Sequence, residues 1–137
     1  MRFGNGGTSI DGVGAVTYKA TNTSSASGAL YNQTHSQTVD DAITSSALNS
    51  VTASHTTPNT YSDVITTCTL DYNIPAGQDL TDTGTDMNGA YVFDELALYT
   101  ANNDLLTHVV FHPVQKSANR KIQVVYTLRI RSSFADL

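Results

Sequence analysis

The residues whose types and spacing could support chemistry are few, and most of them fail on geometry. His108 and His112 are four apart, a spacing at which two imidazoles can share a metal ion on a helix. The run around them reads as a strand, where four residues span about 13 Å and the two rings cannot meet on one ion. Asp94 and Glu95 form an adjacent carboxylate pair, but neighbours on a strand point to opposite faces, which denies them joint acid–base work. The stretch from Asp79 to Gly89 is dense in carboxylate and amide oxygens. It lacks the alternate-position oxygens and closing Glu of a twelve-residue calcium loop, so it reads as a turn-rich loop, with a loosely bound cation left open. Ser, His and Asp are all present without a nucleophile elbow or an oxyanion glycine motif. Gly4, Gly6 and Gly7 neither follow a strand nor open a helix, as a phosphate cradle would require. His35 and His55 lie in polar stretches with no acidic or Cys partner nearby. Cys68 is the single cysteine, so there is no disulfide framework and no cysteine metal cluster. It alternates with Val64, Leu70 and Tyr72, which marks it as a buried thiol. The expectation is a chain with no catalytic residue, no metal and no cofactor.

The elements that carry these residues read as strands. Lys121 to Arg131 is the cleanest: Ile122, Val124, Tyr126, Leu128 and Ile130 alternate with mostly polar residues, Val125 being the exception. Side chains on a strand alternate between faces, so this is a half-buried strand, and we expect it to locate the core. Ser62 to Ile74 alternates in the same way. Tyr91–Thr100 and Leu105–Phe111 flank a tight Ala101-Asn102-Asn103-Asp104 turn, with a break expected at Pro113. Val13 to Ala20 is a further strand candidate, and Ala29-Leu30-Tyr31 a short edge strand inside a long polar connection from Thr21 to Gln37. Thr38 to Val51 is ambiguous between a short helix capped by Thr38 and a polar strand, and His55 to Asn59 reads as a loop. At least five strands at hairpin spacing predict an all-β fold. It is an antiparallel β-sandwich, jelly-roll-like, with long polar loops, as a single domain over 1–137 with a Gly-rich extended N-terminal arm over 1–14.

Composition agrees with strands. The chain has 137 residues, 39% hydrophobic and only 14% charged, with one Glu and three Lys. Thr, Ser, Asn and Gly make up the difference, favouring pleated surfaces and turns over helices. The net charge of -5 is unevenly spread. No Lys or Arg falls between Lys19 and Lys116, and five of the seven basic residues, Lys116, Arg120, Lys121, Arg129 and Arg131, lie in the C-terminal segment. These read as solvated loops and a polar strand face, or alternatively as a basic edge that meets an acidic neighbour. An acidic chain argues against direct nucleic-acid binding. The opening residues hold no signal-peptide-like apolar run, and nothing approaches the ~20 apolar residues of a membrane span, so we expect synthesis in a reducing cytoplasm and no membrane partner. A carbohydrate-binding module is a rival for any small β-sandwich; this chain offers seven Tyr but no Trp as stacking platforms.

Three stretches together, Phe93-Asp94-Glu95-Leu96-Ala97-Leu98-Tyr99, Asn103-Asp104-Leu105-Leu106-Thr107 and Val110-Phe111-His112-Pro113-Val114-Gln115-Lys116, resemble small structural proteins of tailed-bacteriophage virions. The opening Phe3-Gly4-Asn5-Gly6-Gly7 is similar to them too. The resemblance spans roughly 40 residues near the C-terminus and a few at the start, and its best match is a capsid decoration (cement) protein, with a tail-fibre or collar attachment protein second. It implies a non-enzymatic protein on the capsid exterior that bridges neighbouring major capsid subunits, made in the host bacterial cytoplasm and acting as a homo-oligomer, a dimer or trimer. On that reading the partner interface falls at Arg2 and Phe3 in the arm, and at Lys116, Arg120, Lys121, Arg129 and Arg131 along the basic edge. The arm and the long polar connection are expected to order on the partner, trading entropy for a large wrapped surface.

Overall fold

The structure, a computed structural model, describes residues 1–22, 29–39, 49–56, 61–78 and 91–131. Among the described residues the chain forms nine strands and no helix, and the all-β antiparallel class expected from the sequence holds. No helix among them is long and apolar enough to cross a membrane. The sequence suggested one domain; the chain groups into two compact units, Met1–Gln37 with Leu70–Lys121, and Thr38–Thr69 with Ile122–Leu137.

The first unit holds a four-stranded sheet in the order β4 (Gln33–Ser36), β1 (Arg2–Gly4), β7 (Val92–Tyr99), β8 (Leu105–Gln115), and a hairpin of β2 (Thr8–Ile10) with β3 (Val16–Tyr18). β7 lies between β1 and β8, which pair both of its edges, and every side chain from Val92 to Leu98 is buried, so both of its faces are covered. Ala97 packs with Leu30 and Leu105 against Tyr99, and the Phe3 and Phe93 rings sit 5.2 Å apart. The core therefore lies around β1 and β7.

The Gly-rich opening is not an extended arm. Arg2–Gly4 pairs antiparallel with β4 on one side and β7 on the other, in registers Phe3↔His35 and Phe3↔Leu96. Met1 and Phe3 are buried. Local pattern conceals this because a three-residue strand shows no periodicity, and its stability comes from partners 29 or more residues away. Residues 8–18 form the hairpin instead. Asp11 Oδ1 accepts from the Val13 and Ala15 amides, both at 2.9 Å, and Gly14 takes a φ of 85°, a left-handed value that glycine adopts without strain.

The Ala101–Asp104 turn is present. Asn103 has a φ of 66°, the Thr100 amide donates to Asp104 O, and Thr100 Oγ1 accepts from the Asn102 and Asp104 amides. Pro113 does not break the strand; β8 continues to Gln115. Between Glu95↔Val110 and Phe93↔Val114, β7 advances two residues while β8 advances four. Proline, which has no amide to give the ladder, is thus accommodated in a bulge. The short strand in the Thr21–Gln37 connection is Gln33–Ser36, while Leu30 belongs to the core.

The second unit holds a three-stranded sheet, β5 (Asn49–Thr56), β6 (Tyr61–Leu70), β9 (Ile122–Arg131). β6 stops at Leu70, short of the expected Ile74, because Asp71 closes a turn: its Oδ1 accepts from the Tyr72 amide and its carbonyl from the Ile74 amide. His55, read from sequence as loop, lies in β5. β9 alternates as expected, but Ile122, Val124, Tyr126 and Leu128 are only half-buried and Ile130 is 57% exposed. It does not locate the core: it is an edge strand among the described ones, and none of its side chains is fully buried. Of the ambiguous Thr38–Val51 stretch, Asn49 to Val51 open β5, while residues 40–48 lie outside the described residues, as does the Asp79–Asp86 loop.

Candidate functional site

The sequence of β7 places two acidic residues, Asp94 and Glu95, inside a strand that is otherwise apolar on both faces. A buried carboxylate is costly unless its lone pairs are filled. Both are filled here, largely by backbone amides of the N-terminal segment. Asp94 accepts from the Gly7 amide (2.9 Å), the Thr8 amide (2.9 Å) and Thr8 Oγ1 (2.6 Å). Glu95 accepts from the amides of Gly6 (3.2 Å), Tyr31 (3.0 Å) and Asn32 (2.9 Å). Regular alternation would send the two side chains to opposite faces, yet they bind consecutive amides of one turn. The N-terminal segment reaches both of them, with the Gly6 amide on Glu95 and those of Gly7 and Thr8 on Asp94.

His108, on β8, completes the cluster. Its Nε2 lies 2.9 Å from Glu95 Oε2, and both side chains are fully buried. The Asn22 amide donates to its Nδ1 at 2.9 Å. That bond fixes the tautomer: Nδ1 is the acceptor, so the ring proton sits on Nε2 and points at Glu95. Gly4 is required at the rim, because a Cβ there would fall on Asn32 O and Glu95 Oε1. Asp94, Glu95 and His108 thus join four separate stretches, residues 6–8, 22, 31–32 and β7–β8. Charge-assisted bonds of this kind are short and strong, and the cluster is a clamp. Its groups are enclosed and committed to protein donors, which suits them to holding the chain.

The sites expected from sequence fall elsewhere. Arg2 places its guanidinium 3.8 Å over the Tyr99 ring and donates from Nη2 to Asn103 Oδ1. Phe3 is 1% exposed, between the His35 and Phe93 rings, so it is a core side chain and offers no contact surface. Lys116 is also buried, at 1% exposure; its Nζ donates to Gln78 Oε1 and Ser117 O, each at 3.0 Å. Burial pushes its ammonium below the ordinary lysine value, with the charge of Asp71 opposing. Arg120 is exposed and donates from Nη1 to Gln115 O. Lys121 Nζ lies 3.3 Å from Asp71 Oδ1 and 4.7 Å from the Tyr72 ring. Arg129 makes a two-pronged pair with Asp63, 2.8 and 3.0 Å, with its guanidinium 3.8 Å from the Tyr61 ring. This pair holds the Asp63 carboxyl below its usual range and raises Arg129. Arg131 is exposed at the end of β9. The expected basic edge is therefore not a row of free cations: one member is buried and two are already paired with carboxylates.

Sequence reasoning missed the clamp itself. The available signal was the charged doublet in the middle of the run from Val92 to Tyr99; a strand apolar on both faces with carboxylates inside it must bring donors to them. Cys68 is buried at 0% exposure, and burial pushes its thiol up to about 11. Comparison with family models, curated proteins and solved structures finds no match to the chain.

Proposed function

We propose that the chain is a non-enzymatic virion structural protein that decorates a bacteriophage capsid and stabilises it by bridging neighbouring major capsid subunits. The architecture that goes with this reading is a jelly-roll-like sandwich on the capsid exterior. The observation that carries it is the β2–β3 hairpin. It presents Val13 at 90% exposure, with Ile10 at 50% and Tyr18 at 55%. Its loop is pre-organised by Asp11, and its base is clamped by Asp94 through Thr8 and by the Lys19 amide donating to Gly7 O. A rigid hairpin with an apolar tip loses little entropy on docking, so each copy gains contact cheaply. Many symmetry-related copies then hold a shell collectively, because release must break several contacts at once.

The hairpin replaces the extended arm as the contact element in this reading, and Arg131, exposed at the end of β9, offers a cation to an acidic shell surface. The test is co-sedimentation of the purified protein with empty capsid shells, followed by cryo-microscopy of intact particles. Saturable binding to shells, lost in Val13→Asp, is the expected result. Absence of binding, or density at the tail or collar, overturns it.

A further inference from the structure

In the two larger sheets the edge strands among the described residues are β4, β8, β5 and β9. An open edge offers unpaired backbone donors and acceptors to any other strand, and proteins blunt such edges with short strands, proline, bulges or polar side chains. Three of the four are blunted. β4 has four residues; β8 carries Pro113 and a bulge; β5, Asn49–Thr56, is mostly polar in sequence. β9 is ten residues long without Pro or Gly, and it exposes Val125 at 60% and Ile130 at 57%.

The partner that fits this edge is a second copy of the same strand. The apolar residues on one face of β9 are symmetric about Tyr126, Val125 on the other face being the exception, so an antiparallel pairing centred there sets Ile122 against Ile130, Val124 against Leu128, and Tyr126 against itself. One face of the joint is then apolar at every position, and such cross-strand pairs are what stabilise a sheet. Val125 gains cover opposite Thr127. The like charges that could oppose pairing bring carboxylates with them. Arg129 is held by Asp63, and Arg131 would fall opposite Lys121, whose ammonium lies near Asp71. We infer that β9 pairs antiparallel with β9 of a second copy across a two-fold axis at Tyr126, joining two sheets into one. This joint is isologous and closes at the dimer. It does not depend on the capsid reading, since it forms without a shell.

The experiment is solution mass measurement on the full chain, by light scattering or sedimentation equilibrium, together with disulfide trapping. The wild type should be a dimer of 14.6 kDa subunits. Tyr126→Cys should cross-link efficiently under mild oxidation, because residues facing across an antiparallel pair lie within disulfide reach. Val124→Cys should not, since its own copy would lie about 13 Å away along the strand. Cys68 is buried and does not compete. Val125→Lys, at an exposed position, should keep the fold by circular dichroism and give a monomer. A monomeric wild type overturns the inference. So does a dimer untouched by Val125→Lys, or equal trapping at 124 and 126. A dimer that ignores capsid shells leaves this joint standing and removes only the proposed function.

Discussion

His108 Nε2 and Glu95 Oε2 lie 2.9 Å apart with both side chains fully buried. Thirteen residues separate them in sequence, but the same Glu95 carboxylate also takes amides 63, 64 and 89 residues away. One side chain therefore ties the segment just after the first strand, the stretch before β4, and strands β7 and β8 together.

Glu95→Gln should be severely destabilising. A carboxamide keeps one acceptor oxygen and turns its two N–H donors either on the Gly6 and Asn32 amides or on the Tyr31 amide and His108 Nε2. Leaving such groups unsatisfied costs about 3 kcal/mol. A lowered midpoint in urea unfolding is the check, and an unchanged midpoint would show that the clamp is not formed.

Asp94→Asn should act more locally. It weakens the hold on Gly7 and Thr8 while Glu95 keeps β1 docked. Hydrogen exchange should speed up at the Gly7 and Thr8 amides and leave those of β7 protected.

Phe3→Ala should cost roughly 3–5 kcal/mol, as for a large aromatic removed from a core. Arg2→Ala, which loses a stacked guanidinium at the surface, should cost about 1 kcal/mol or less. Thermal unfolding of the pair separates an inner strand from a loose arm, for which neither change would matter.

Cys68 gives an alkaline signature. Its thiol is raised from 9.0 to about 11 in the folded chain. The folded state therefore keeps the proton that the unfolded state releases. Its contribution is intact below pH 9.0 and fades as pH rises toward about 11, on the order of 2 kcal/mol. Cys68→Ser should flatten that part of the stability–pH curve. Thiol reagents should label wild-type Cys68 slowly in buffer and fast in denaturant.

Asp63 acts at the opposite end of the scale. Arg129 holds its carboxyl below the ordinary value, so the pair contributes above the unfolded aspartate range and is lost as pH falls through the folded one. Carboxyl NMR titration should show a depressed Asp63 midpoint that returns to normal in Arg129→Gln.

Local periodicity determined a good deal. The alternation in β6 and β9, and the Asn and Asp residues between β7 and β8, are short-range consequences of side chains alternating about a pleat and of residues that tolerate left-handed backbone. They give the all-β class without reference to the rest of the chain. Only tertiary structure decided which strand is central, where the core lies and what the charges do. Arg2–Gly4 is an inner strand because β4 and β7 flank it, Lys116 is buried by its surroundings, and β9, the most regular pattern, is a half-exposed edge strand among the described ones. Asp94 and Glu95 look like surface charge by residue type. They become the clamp of the fold only when amides up to 89 residues distant are brought to them, and no local pattern carries that distance.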